Sequence, residues 1–163
     1  MIERTTAVAT MVAAIGCGLI AGVLLAFSIC VMPALKNQPP SAAIATMQQI
    51  NVSIVSPSFL TLFIGSAVAA IVAAAGSIWF GTGSQSLVVV GAILYVFGCA
   101  VVTMVVNVPL NDTLATASAD SPAGAQVWSA YLDSWIAWNH ARTGAAGAAC
   151  VALTIAVRCQ SSL

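Results

Sequence analysis

The sequence predicts an all-α membrane protein: a bundle of four spanning helices, with two helical loops capping the same end. Three observations carry that prediction. No charged side chain occurs in the 75 residues between Lys36 and Asp112, and another 31 uncharged residues, Thr5 to Leu35, precede Lys36. A charged group at the centre of a lipid-embedded helix costs roughly 2.5–3.5 kcal/mol on insertion scales, so this depletion is what a bilayer selects. Charged residues make up 5% of the chain, and hydrophobic ones 61%, with a mean hydropathy of +1.06; water-soluble domains carry charge on about a quarter of their residues. The chain has 163 residues. One crossing needs roughly 20 apolar residues, which leaves room for four spans, two modest loops and short tails, but no second domain.

The first span is expected over about 7–32, with Pro33 marking its exit because the residue before a proline avoids helical geometry. The stretch Lys36 to Pro40 (K-N-Q-P-P) reads as a turn. Ser41 then reads as the N-cap of a short helix from Ala42 to about Val52. Pro57 is tolerated in a first helical turn and opens the second span, about 57–80, with Trp79 as an interfacial anchor. Gly81 to Gln85 forms a short uncharged turn. The third span covers about 87–108, with Pro109 one turn before Asn111 and Asp112. Ser121-Pro122 reads as an N-cap followed by proline at the first helical position. The helix that starts there is expected to continue through the fourth span, about 135–157. Both inter-span stretches leave a proline-ended span (M-P-A-L at Met32, V-P-L-N at Val108) and lead by a turn and a helix into the next span, which suggests two weakly related hairpins.

Several function classes drop out. The formal net charge is zero, so no basic stripe exists to neutralise nucleic-acid phosphates or to hold an anionic membrane surface. Cys17, Cys30, Cys99, Cys150 and Cys159 show no C-x-x-C or zinc-finger spacing. No side-chain set for a metal is apparent, and no phosphate-cradling glycine loop is present. The single histidine, His140, leaves axial ligation of a haem as a minority alternative, and the cofactor state is otherwise undetermined. The apolar N-terminal run is too long for a signal peptide and reads as a retained span. With four spans both termini share a side. Arg4 and Arg158 flank it, which places the termini in the cytoplasm by the positive-inside rule.

Against so apolar a background, the polar residues stand out. W-I-A-W-N-H-A-R, Trp135 to Arg142, puts Trp135, Trp138, Asn139 and Arg142 on one broad helical face. His140 lies on another face, with Ile136, Gly144 and Gly147. Small residues let backbones approach in membrane bundles, so that face is expected to look inward at another helix. Arg142 should turn to a polar cavity, or to Asp133 or Asp112. Thr103, Asn107 and Asn111 lie in line on the third span, and Gln48 and Asn51 lie on adjacent turns of the short helix. A pocket at the loop end of the bundle is therefore expected from Asn51, Asn107, Asn111, Trp135, Asn139, His140 and Arg142, with Gln48 and Trp138 as further binding residues. The plain alternatives are interfacial anchoring for Arg142 and the tryptophans, helix–helix hydrogen bonding for the asparagines, and ordinary packing for His140. Gly18 and Gly22 form a G-x-x-x-G, and together with Gly144 and Gly147 offer faces for a homo-oligomer.

N-V-P-L-N (Asn107 to Asn111), W-x-x-Y-x-x-x-W-x-x-W-N-H-x-R (Trp128 to Arg142), V-M-P-A-L (Val31 to Leu35) and M-Q-x-I-N (Met47 to Asn51) together resemble the anthrone-oxygenase-like family of small four-helix membrane proteins. The resemblance covers nearly the whole chain. It implies oxidation of a planar hydrophobic, anthrone-like substrate drawn from the bilayer, with molecular oxygen. On that reading His140 is the candidate base for the carbon-bound proton, Arg142, Asn107 and Asn139 stabilise the enolate oxygen, and Trp135 and Trp138 offer stacking surfaces. The competing class is a non-catalytic membrane protein that binds a lipid, quinone or haem in the same pocket.

Overall fold

The computed structural model describes residues 2–160, with side chains from Thr5 onward, and is helical throughout, with no strand among the described residues. Helix α1 runs Ile2–Ala26, widens into a π-helical segment at Phe27–Val31 and continues as Met32–Lys36. Helix α2 is Pro40–Ile54 and α3 is Pro57–Phe80. Helix α4 starts as Gln85–Tyr95, passes through π-helical segments at Val96–Val101 and Thr103–Asn107, and ends as Val108–Ala115. Helix α5 is Pro122–Gln160. Four of the five, all but α2, are long and apolar enough to cross a membrane.

Pro33 and Pro109 do not end their helices as expected. α1 runs on to Lys36 and α4 to Ala115. A proline ring has no N–H to donate and collides with the carbonyl four residues back in a regular helix. In both places a wide turn stands directly ahead of the proline-containing turn. The Met32 N–H bonds the Phe27 carbonyl and the Val108 N–H bonds that of Thr103, each five residues back. The extra residue in the turn shifts the colliding carbonyl aside, and the helix passes through.

The other boundaries follow from local chemistry. Ser56 Oγ accepts from the Phe59 N–H at 3.3 Å, with Pro57 in the first turn of α3. Gly81, at φ 63°, closes α3 in the left-handed conformation that glycine adopts without strain. Ser121 Oγ accepts from the Gly124 N–H at 2.9 Å and caps α5 as expected. Ser41 does not cap α2, because Pro39 and Pro40 already start that helix two residues earlier. Asp112 lies on α4 and Asp133 on α5, and both are exposed. Of the charges used to orient the chain, the side chain of Arg4 lies outside the described residues.

Neighbouring helices form a square, in which α1 packs on α3 and α5, and α4 packs on the same two. The 24 residues of α3 span about 36 Å at 1.5 Å per residue, close to a hydrocarbon core of about 30 Å. The 39 residues of α5 reach about 58 Å. The bundle is thus taller than α3, and in the upper storey α2 takes its place, packing on α5 and on the last turns of α1 and α4. Each storey has its own core. The lower one is built largely of alanines with Cys17, Ile20, Phe63, Tyr95 and Leu153. Small residues permit close backbone approach: a Cβ at Gly16 would overlap the Ser66 side chain across the α1–α3 contact. The upper core joins Met32, Ile44, Met47 and Leu114 to Trp128, Tyr131 and Trp135. Outside, Ile15, Leu19, Ile64, Val68, Ile93 and Phe97 are exposed, an apolar girdle suited to lipid. Trp79 stands 84% exposed at the end of α3.

Candidate functional site

A buried polar layer separates the two apolar cores. Its centre is Arg142, only 6% exposed. Arg142 Nε donates to Asn139 Oδ1 at 3.0 Å and Nη1 donates to Thr103 Oγ1 at 3.2 Å. The guanidinium carbon lies 5.0 Å from the centroid of the Trp135 ring, within cation–π range. Asn139 is anchored in turn to α1: its Nδ2 donates to the Leu24 carbonyl at 2.9 Å and to Ser28 Oγ at 2.7 Å. Thr103 donates to the Cys99 carbonyl at 2.8 Å, as a membrane threonine commonly does, and still accepts from Arg142 with its remaining lone pair. Asn107, one turn further along α4, donates from Nδ2 to the Trp135 carbonyl at 3.5 Å, while its Oδ1 is buried without a partner. Both α4 residues sit in or beside its π-helical segments, which re-aim side chains relative to a regular helix and are frequent at functional sites.

Among the described residues no carboxylate reaches this cation. Among the described residues Arg142 makes no ion pair, and the expected partners Asp112 and Asp133 are exposed elsewhere on the bundle. A buried charge held only by neutral groups carries a desolvation penalty that a full counter-charge would offset. The arrangement therefore favours a negatively charged or strongly polarised oxygen at the guanidinium.

A second node lies directly above. Asn111 Oδ1 accepts from Tyr131 OH at 2.9 Å and from Trp135 Nε1 at 3.0 Å. Trp128, Tyr131 and Trp135 stack in sequence, with ring centroids 5.6 and 6.1 Å apart, and Phe27 packs 5.8 Å from Trp135. Asn51 lies beside Tyr131, its Nδ2 buried without a hydrogen-bond partner. Trp135 thus belongs to both nodes, its ring face on Arg142 and its N–H on Asn111.

Arg142, Asn107, Asn139, Trp135, Asn111 and Asn51 thus lie in or next to these two nodes, whereas His140, Trp138 and Gln48 do not. His140 and Gly144 are exposed on the outer side of α5, and nothing lies within 4 Å of a Cβ placed at Gly144 or Gly147. The expectation that this face turns inward is corrected: the inward face is Trp128, Tyr131, Trp135, Asn139 and Arg142, at helical spacing. Trp138 is 44% exposed, off the face it was expected to share. Gln48 works as a clamp, its Nε2 donating to the Leu114 carbonyl at 2.8 Å and the Ala117 carbonyl at 3.0 Å. The Leu114 carbonyl lies in the last turn of α4, where it also accepts from the Ala117 N–H at 3.1 Å, and the Ala117 carbonyl lies in the turn just beyond. Gln48→Leu is expected to lower stability by about 1–2 kcal/mol, and hydrogen exchange should rise selectively at 114–118. Gly18 packs inside the bundle, a Cβ there lying 3.0 Å from Cys150 Sγ, whereas Gly22 is open.

Sequence reasoning passed over Ser28 and Tyr131. Ser28 is one hydroxyl in an apolar span, with nothing local to mark it. Tyr131 was legible in principle, since it shares the spacing of Trp128 and Trp135. Among the described residues no three His, Cys, Asp or Glu side chains come together as a metal-ligand group.

The sequence model of the anthrone oxygenase family matches residues 52–152, more than half of the chain. The chain belongs to the anthrone oxygenase family. The anthrone oxygenase match takes in Thr103, Asn107, Asn111, Tyr131, Trp135, Asn139 and Arg142, whereas the α1 anchor at Leu24 and Ser28 and the α2 residues Gln48 and Asn51 fall before it. No curated protein and no solved structure matches the chain.

Proposed function

We propose that this protein is a membrane-embedded oxygenase that converts a planar, hydrophobic carbon acid of the anthrone type to the corresponding quinone with molecular oxygen. One observation carries the reading: a buried guanidinium with no counter-charge among the described residues, held by three neutral partners inside the bundle. The family membership supports it.

An anthrone methylene gives up a proton, taken by water or hydroxide at the membrane interface and returned to the peroxide oxygen once O₂ has added, and so becomes an enolate whose charge rests largely on oxygen. That enolate passes electrons to oxygen directly, a C–O bond forms, and loss of water leaves the quinone carbonyl. In sum one CH₂ and one O₂ become one C=O and one water. A fixed cation where charge develops lowers the barrier to the first step, and does so most strongly where water is excluded. Arg142 supplies that cation. Asn139 and Thr103 hold it in place, and Asn107 stands ready for a hydroxyl of the substrate. The layer is closed in this structure, with Asn107 1% exposed, so entry from the bilayer requires side chains or α2 to move. We further place this storey on the extracytoplasmic side, from the charge asymmetry that puts the termini in the cytoplasm.

The alternative, a protein that binds a quinone or lipid anion without turnover, is favoured by a separate observation. Among the described residues no carboxylate or imidazole lies in the layer to act as base. Turnover decides between them. Purified protein in lipid nanodiscs is expected to form quinone from a model anthrone in air above the buffer rate, consuming one O₂ per quinone. Saturable binding with no such acceleration would leave the binding reading standing alone.

A further inference from the structure

We propose that Arg142 and Asn107 together form a binding site for a monoanion that carries a hydroxyl close to its anionic oxygen. The proposal rests on the same reading of Arg142 as an oxyanion partner, and adds what the ligand must offer besides charge.

Two guanidinium N–H groups are engaged, one on Nε with Asn139 and one on Nη1 with Thr103. Those on Nη2 have no partner among the described residues. The described residues provide no anion for them, because Asp112, Asp120 and Asp133 are all exposed. Asn107 Oδ1 is the complementary vacancy, a buried acceptor with nothing donating to it. It belongs to the same layer, since Asn107 bonds the Trp135 backbone and stands one helical turn from Thr103. A pure acceptor, such as a halide or a carboxylate, would satisfy the cation but leave Asn107 Oδ1 facing a like partial charge. An oxygen anion with an adjacent O–H satisfies both, the anion on Nη2 and the hydroxyl donating to Asn107. Two sources share this chemistry: a lipophilic hydroxyaryl ketone ionised to its phenolate, taken from the bilayer, and bicarbonate, taken from water.

The test uses the full chain in lipid nanodiscs at neutral pH, with 1,8-dihydroxyanthraquinone, whose monoanion absorbs at longer wavelength than the neutral form, and its 1,8-dimethoxy counterpart. Bicarbonate is tested separately by thermal shift. Asn107→Asp is the key variant, because it keeps the volume and supplies a built-in anion to Arg142. Arg142→Met serves the same purpose should that variant fail to fold. The dihydroxy compound is expected to bind with the long-wavelength spectrum, and the dimethoxy compound about tenfold more weakly or worse. Asn107→Asp should lose that binding without a fall in melting temperature. If bicarbonate instead stabilises the wild type but not Asn107→Asp, while the quinone does not bind, the site stands with the free anion as its ligand. Equal binding of both quinones, an unshifted spectrum, binding unchanged in Asn107→Asp, or no effect of either probe overturns the proposal. Anthrone turnover without the spectral shift would remove this inference and leave the oxygenase reading, and the shift without turnover would do the reverse.

Discussion

Arg142→Met is expected to slow anthrone conversion by roughly 10²–10³-fold, the usual cost of removing one group that stabilises a developing oxyanion. For a model anthrone that carries no ionisable hydroxyl, the effect should fall on kcat, with KM changing little, because the charge on its oxygen appears only as the proton leaves. Methionine keeps an unbranched apolar stem of similar reach and can rest on Trp135, so the lost element is the charge with its hydrogen bonds. Arg142→Lys should fall in between. A lysine keeps the charge but cannot hold Asn139 and Thr103 at once in the planar geometry that Arg142 uses. Turnover of each variant against the model anthrone checks the order Arg, Lys, Met.

The largest loss of stability is expected for Asn139→Leu. Asn139 is fully buried, and its amide serves the Leu24 carbonyl, Ser28 Oγ and Arg142 Nε together. Interhelical hydrogen bonds in membranes average only about 0.6 kcal/mol, because the unfolded chain in lipid also finds partners. Arg142 changes that arithmetic. Removing Asn139 strands a buried cation, and groups left unsatisfied beside a charge cost more than an ordinary lost bond. The expected loss is about 2–4 kcal/mol, against roughly 0.6 kcal/mol for Ser28→Ala, which strands nothing charged. Unfolding in mixed detergent micelles measures both. Near-equal losses would mean that Asn139 is simply one more interhelical contact.

Which parts of this protein could be read from its sequence follows from what each part depends on. Helix α3 was legible to the residue, because Pro57 at its start, Gly81 at its end and an uncharged interior are all local signals. The cap at Ser121 was legible for the same reason. The π-helical turns were not. Five-residue and four-residue hydrogen bonding leave the same apolar pattern, and the prolines that require the wide turns read locally as helix stops. The length of α5 past its membrane segment was visible, but not that α2 would stand in for α3 beside it. The hardest choice was which face of α5 turns inward. Gly144 and Gly147 argued for one side, whereas Trp135, Trp138, Asn139 and Arg142 argued for the other. The second side wins because α1 and α4 bring Ser28, the Leu24 carbonyl, Thr103, Asn107 and Asn111 to meet it. Those partners lie far away in sequence and leave no mark in the local pattern.

The measurement that bears most directly on the reading is the aerobic conversion rate of a model anthrone by wild type, Arg142→Met and His140→Ala, side by side in nanodiscs. With the chemistry in the buried layer, Arg142→Met loses roughly 10²–10³-fold, and His140→Ala, altered on the outer surface of α5, stays within a few-fold of wild type. The reverse pattern, with activity lost in His140→Ala and kept in Arg142→Met, would contradict it and move the reaction to the lipid-facing side of the helix.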